Sequence, residues 1–193
     1  MARKAVQNAE NRCIKKFAKY CVDKTQLFRG YKPLWESCKV DIYTETTEGK
    51  SYIVELKQTT KYDINFMRYY GALMEKDKLN YLKINSGEWD NNMIVGGMYL
   101  RFLKDGWMCW DINDITTLSE DNKRRKAVKV STRMDNVKNT PYWLLDWRDA
   151  KYIYNYDGVD IKQLWLDEEQ WQKKFPKLSE EEWHQRLRQH RVA

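Results

Sequence analysis

The sequence predicts an α/β fold: a mixed sheet flanked by helices, followed by a helical, aromatic-rich C-terminal extension. Three observations lead there. Residues 3–22 carry apolar side chains at helical spacing. Residues 39–43 and 51–57 are two β-rich runs joined by a short turn. A second helical pattern at 64–84 is followed by a β-hairpin at 97–112.

In the first helix Val6, Ala9, Cys13, Ile14, Phe17, Tyr20 and Cys21 fall on one stripe, and Arg3, Lys4, Lys15, Lys16 and Lys19 lie mostly off it. Gly30 and Pro33 then break the chain. Lys39-Val40-Asp41-Ile42-Tyr43 alternates apolar and polar residues, and Ser51 to Lys57 is rich in β-formers. Asp63 is placed to cap one continuous helix from about Ile64 to Ile84, with Phe66, Met67, Tyr70, Leu73, Met74, Asp77 and Tyr81 as its imperfect apolar stripe. Gly97 to Leu103, a turn at Lys104-Asp105-Gly106, and Trp107 to Ile112 form a hairpin by pattern and turn chemistry. From Ser119 the texture changes to a basic loop at 121–126 and an aromatic stretch from Pro141 to Ala150. The chain ends in a helix with Ser179 and Glu182 as a capping box and Leu178 with Trp183 as a hydrophobic staple. These readings divide the chain into a core over 1–115 and an extension over 116–193 packed on it.

Composition narrows the chemistry. In 193 residues, 42% hydrophobic content suffices for a core, and a formal charge of +7 favours polyanionic partners. Cys13, Cys21, Cys38 and Cys109 form no C-x-x-C pair, so they read as buried free thiols in a reducing cytoplasm. The N-terminus has no signal-peptide pattern, and no run approaches the length of a membrane span. The two histidines, His184 and His190, lie in the last ten residues, which leaves Ser-His, Cys-His and His-metal enzymes short of parts. Neither a phosphate-binding P-loop nor a dinucleotide-binding glycine motif is present.

The turn around Gly49 then sets a register. A three-residue loop Thr47-Glu48-Gly49, with Gly left-handed, places Thr46 opposite Lys50, so paired positions sum to 96. Asp41 falls opposite Glu55, with Val40, Ile42, Val54 and Leu56 on the other face. Two facing carboxylates repel unless a cation lies between them, and hard oxygen ligands suit Mg²⁺. Lys57 lies on the same face, where it can hold a phosphate oxygen or orient a water. Glu10 interrupts the apolar stripe of the first helix. It is either compensated by a shared metal or turned to solvent at the stripe edge.

Helix-borne Glu10, strand-borne Asp41, then Glu55-Leu56-Lys57, then a helix and a further strand resemble the PD-(D/E)XK nuclease superfamily. The likeness covers roughly residues 3–112. It implies an α-β-β-β-α-β core with a mixed four-stranded sheet, whose first strand is weakly marked between residues 24 and 38. It implies a DNA endonuclease, restriction-endonuclease-like or Holliday-junction-resolvase-like, using Mg²⁺, with Mn²⁺ as a substitute. Asp41 and Glu55 would bind the metal, with the Leu56 carbonyl as a further ligand. Lys57 would assist the water or the transition state, and Glu10 would join the set. The string [DE]-x-K occurs five times, and only the one at Glu55 sits in a β-rich run facing an acid. Val40 stands where the naming Pro would be.

Candidate nucleic-acid contacts are Lys39, Arg68 and the run Lys123, Arg124, Arg125 and Lys126. One active site per chain makes double-strand cutting a reason to expect a homodimer. The rival readings are a non-catalytic nucleic-acid-binding module on the same fold and an interaction protein using its Trp-rich C-terminal part.

Overall fold

The computed structural model describes residues 2–34, 40–84, 87–89, 92–115 and 142–174. It is an α/β structure with a mixed sheet flanked by helices. Helix α1 (Ala2–Lys16) runs into a π-helical segment (Phe17–Lys24). Strands β1 (Phe28–Pro33), β2 (Ile42–Thr46) and β3 (Ser51–Gln58) follow. Then come α2 (Ile64–Tyr70), β4 (Ala72–Glu75), α3 (Lys76–Ile84), β5 (Gly87–Trp89), β6 (Asn92–Phe102) and β7 (Gly106–Asp111). The chain closes with β8 (Tyr142–Leu145), β9 (Tyr152–Asn155) and α4 (Ile161–Lys174).

The main sheet runs β1-β2-β3-β6-β7-β9, with β5 also paired to β6. Its first three strands are antiparallel neighbours, and β6 lies parallel to β3. Six strands stand in line where four were expected. All six residues of β7 are buried, so that strand cannot serve as a solvent-facing edge. Its far side is covered by β9, through Met108 opposite Ile153 and Cys109 opposite Tyr152. The chain beyond residue 116 thus re-enters the sheet.

Two apolar clusters lie on the two faces. On one, Cys13, Phe17 and Cys21 pack on Ile42, Tyr52, Val54 and Leu56. On the other, Ile64, Met67, Leu79 and Leu82 of α2 and α3, with Trp165 of α4, pack on Ile53, Tyr99 and Ile153. Of the predicted stripe of the first helix, Cys13, Phe17 and Cys21 are buried, and Ala9, Ile14 and Tyr20 are partly buried. Cys13, Cys21 and Cys109 are buried free thiols, as expected; Cys38 lies outside the described residues.

The register of the β2–β3 hairpin is the expected one: Ile42 faces Val54, Tyr43 faces Ile53 and Thr44 faces Tyr52. Gly49 has φ +83° in the turn. Val40 departs from expectation. It joins the cluster of Ile53 rather than that of Ile42, because the chain bends at 40–41 before β2 begins and strand alternation does not reach back that far.

The single helix expected over 64–84 is two helices with a strand between. Asp63 caps α2, its carboxylate accepting from the Phe66 amide at 2.7 Å. The helix ends at Gly71, where φ is +72° and an added Cβ would lie 2.9 Å from the Leu144 side chain and the Leu145 carbonyl oxygen. Both the left-handed turn and the close approach demand glycine. Ala72 to Glu75 then pair with β8. The basic loop expected at 121–126 and the helix expected after Ser179 fall on residues outside the described ones, as do His184 and His190.

Candidate active site

Asp41 stands just before the first regular residue of β2. Its amide donates to the Val54 carbonyl (3.1 Å), and its own carbonyl accepts from the Leu34 amide (3.0 Å). Beyond it the β2–β3 ladder stops. The Leu56 amide, one strand period past Val54, points to the same open side. The Asp41 carboxylate fills the missing position: the Leu56 N–H donates to Asp41 Oδ2 at 2.6 Å. The other Asp41 oxygen has no hydrogen-bond donor among the described residues.

Glu55 is 2% exposed. Its two oxygens meet two different lysines, Oε1 the Lys57 ammonium at 2.8 Å and Oε2 the Lys78 ammonium at 2.9 Å. Lys57 shares β3 with Glu55, whereas Lys78 arrives from α3. Helix α3 lies close to the sheet because Gly97 of β6 has no side chain; a Cβ there would sit 2.6 Å from Leu82 Cβ and 2.9 Å from the Leu82 carbonyl oxygen. Lys78 is one helical turn before Leu82, so packing Leu82 onto β6 turns Lys78 towards β3.

These groups open into one cleft of about 640 Å³. Helix α1 contributes Ala9, Glu10, Arg12 and Cys13; β3 contributes Glu55, Leu56, Lys57 and Gln58; Asp41, Thr60 and Lys78 complete it. Among the described residues its acids and bases are equal in number: Glu10, Asp41 and Glu55 against Arg12, Lys57 and Lys78.

The electrostatics are uneven. Burial, and then the charge of Glu55, push the Asp41 carboxyl up to about 6, against the opposing pull of the Leu56 hydrogen bond and of Lys57 and Lys78. Burial disfavours the charge on Lys57, but Glu55 beside it outweighs that and raises the ammonium above its ordinary value. Burial, then Asp41, push the Cys13 thiol up to about 11, so it is protonated at neutral pH and ill-suited to act as a nucleophile.

Comparison with family models, curated proteins and solved structures finds no match to this chain. The site therefore stands on its own geometry.

That geometry brings Asp41, Glu55, Leu56 and Lys57 together at one cleft. Glu10 lines the same cleft from α1 but is exposed, so the alternative at the stripe edge holds. Among the described residues no three His, Cys, Asp or Glu side chains are grouped to hold a metal. Asp41 and Glu55 are thus a two-acid set. Arg68 is not among the residues lining the cleft. Its guanidinium pairs with Glu168 and lies over the rings of Trp165 and Trp147, at 4.8 and 5.5 Å. Lys39, Lys123, Arg124, Arg125 and Lys126 lie outside the described residues. Sequence reasoning missed Arg12 and Lys78. Arg12 could have been found from its place beside Cys13 on the first helix. Lys78 was hidden by reading 64–84 as one helix, although the Lys78, Leu79 and Leu82 spacing carries the signal once the helix restarts at Lys76.

Asp41 has one carboxylate oxygen with no hydrogen-bond donor among the described residues, and the Leu56 carbonyl points to the same side as its amide. Both are hard oxygen donors of the kind a divalent cation takes, whereas the two Glu55 oxygens are paired with lysines. No described helix is long and apolar enough to cross a membrane.

Proposed function

We propose that the chain is a metal-dependent nuclease that hydrolyses phosphodiester bonds, most simply a DNA endonuclease of the PD-(D/E)XK type. The observation that carries this reading is the meeting of Asp41, Glu55 and Lys57 in one cleft, with Asp41 just before β2 and Glu55 and Lys57 on β3. The order of elements supports it as well: a helix, three antiparallel strands, helices, then a strand parallel to the third.

Asp41, Glu55 and the Leu56 carbonyl would hold Mg²⁺ or Mn²⁺. When bound, such an ion supplies a Lewis acid and lowers the pKa of a coordinated water. The chain's own groups do the rest. The Leu56 amide fixes the Asp41 carboxylate in the one orientation that leaves an oxygen towards the cleft. Lys57, held protonated by Glu55, supplies a positive charge where negative charge builds on the phosphoryl oxygens in the transition state. Arg12, at the α1 wall, provides a guanidinium for the phosphate backbone.

A second reading has one observation in its favour. Both Glu55 oxygens are already paired with lysines, which suits a closed ion-pair cluster in a non-catalytic nucleic-acid-binding module. One experiment separates the two. Plasmid, four-way junction and single strands are incubated with the protein in Mg²⁺, Mn²⁺ or EDTA, beside Glu55→Ala and Asp41→Ala. Metal-dependent cleavage lost in both variants, with binding retained, is the expected result. Binding with no cleavage of any substrate in either metal rejects the nuclease.

A further inference from the structure

We propose that Lys78 is a positioning residue that stands in for a divalent ion on Glu55, so that a metal enters the cleft by displacing it. This rests on the nuclease reading and extends it to a residue outside the acid–acid–lysine motif.

A carboxylate as buried as Glu55 must be neutralised at all times. In this arrangement two ammonium groups do so, one on each oxygen. A divalent ion placed between Glu55 and Asp41 would bring two further positive charges beside both lysines. The charge balances again when one ammonium withdraws. Lys57 is the poorer candidate to leave. It is two residues from Glu55 on the same strand face, so its backbone holds it beside the carboxylate. Lys78 reaches Glu55 from another element, α3, on a four-carbon stem at the cleft wall. Swinging away moves its charge towards the space that a phosphate chain would occupy.

This makes metal affinity a competition. In the free protein the ion must displace an internal cation, so it binds weakly. A polyanionic substrate that takes up the Lys78 ammonium would strengthen metal binding by removing the competitor, which couples metal loading to substrate.

Mn²⁺ binding by electron paramagnetic resonance titration, without nucleic acid, tests the idea, together with thermal midpoints with and without Mn²⁺. Lys78→Met and Lys78→Gln should bind Mn²⁺ about tenfold more tightly than the parent, as expected when a half-buried cationic competitor is removed. Their metal-free midpoints should fall and recover on adding Mn²⁺. Lys78→Arg, which keeps the charge, should bind Mn²⁺ no better than the parent. Lys78→Gln retains a hydrogen-bond donor for Glu55 and serves if the Met variant does not fold. Unchanged affinity in the Met and Gln variants, with a loss of stability that Mn²⁺ does not restore, reduces Lys78 to a structural ion pair. An equal gain from Lys57→Met refutes the assignment to Lys78. In each of those outcomes the nuclease reading survives. If neither the parent nor any variant binds Mn²⁺, the nuclease reading fails and this inference goes with it.

Discussion

Asp41 and Glu55 sit side by side, yet replacing each should move stability in opposite directions. The Asp41 carboxyl is raised from 3.8 to about 6, chiefly by burial and then by Glu55. An acid raised on folding binds extra protons in the folded state between the two values, so stability falls as pH climbs from about 4 to about 6 and stays lower above it. Two units correspond to roughly 3 kcal/mol, and partial solvent contact reduces that to roughly 2. Asp41→Asn can still accept the Leu56 amide but carries no charge. It should therefore be more stable than the parent by roughly 2 kcal/mol at pH 7.5 in EDTA, with the gain vanishing near pH 4, while cleavage is lost. Glu55→Gln strands two lysines without their shared anion and should cost up to about 3 kcal/mol under the same conditions. Urea denaturation at the two pH values measures both. An Asp41→Asn variant no more stable than the parent at pH 7.5 would mean that the ionised carboxylate is well compensated in the metal-free cleft, and that the proposed need for a cation is misplaced.

Helix α3 carries Lys78 to the cleft only because β6 lets it come close. Gly97→Ala forces a methyl group onto the backbone and side chain of Leu82, and it should lower stability by roughly 2 kcal/mol or more. Gly30→Ala, with nothing within 4 Å of the added atom, should be near neutral; equilibrium unfolding of the two variants makes the comparison. Equal effects would show that α3 is not held by that contact. The same region marks the limit of what sequence could tell. The β2–β3 register was legible because it follows from one local choice, a left-handed Gly49, after which every pair is arithmetic. The acid pair and Lys57 were legible with it. Strand β4 was not. Ala72 to Glu75 satisfy a helical stripe as well as a strand pattern, and what decides between them is β8, far along the chain. Lys78 was lost for the same reason, since its direction depends on where α3 restarts. Arg68 looked like a cleft residue, but its partners, Glu168 and Trp165, are equally distant in sequence.

At the scale of the molecule, the C-terminal part belongs to the core. Leu145, Trp147, Ile153 and Trp165 are all buried in the cluster that also holds α2 and α3, and β9 covers β7. A fragment ending at Ile115 bares that cluster and an apolar edge strand. It should fail to give the cooperative unfolding transition of the full chain; a folded, soluble fragment of native-like stability would contradict this. Charge is the other molecular property. Among the described residues that line it, the cleft holds three acids and three bases, so those residues add nothing to the chain's excess of +7. Long-range attraction for a polyanion must then come from elsewhere, and the run Lys123, Arg124, Arg125 and Lys126 is the densest source. Each phosphate contact releases counterions and adds about 0.9 to the slope of log affinity against log salt. Replacing the four residues with Ala should weaken DNA binding and flatten that slope by about 2 to 4, depending on how many of them touch phosphates. Cleavage at saturating DNA should be unchanged, because the acids, Lys57 and Lys78 are untouched. A slope equal to the parent's would remove this run from the interface and send the search for the electrostatic surface back to the exposed Lys15 of α1 and Lys19 of the π-helical segment.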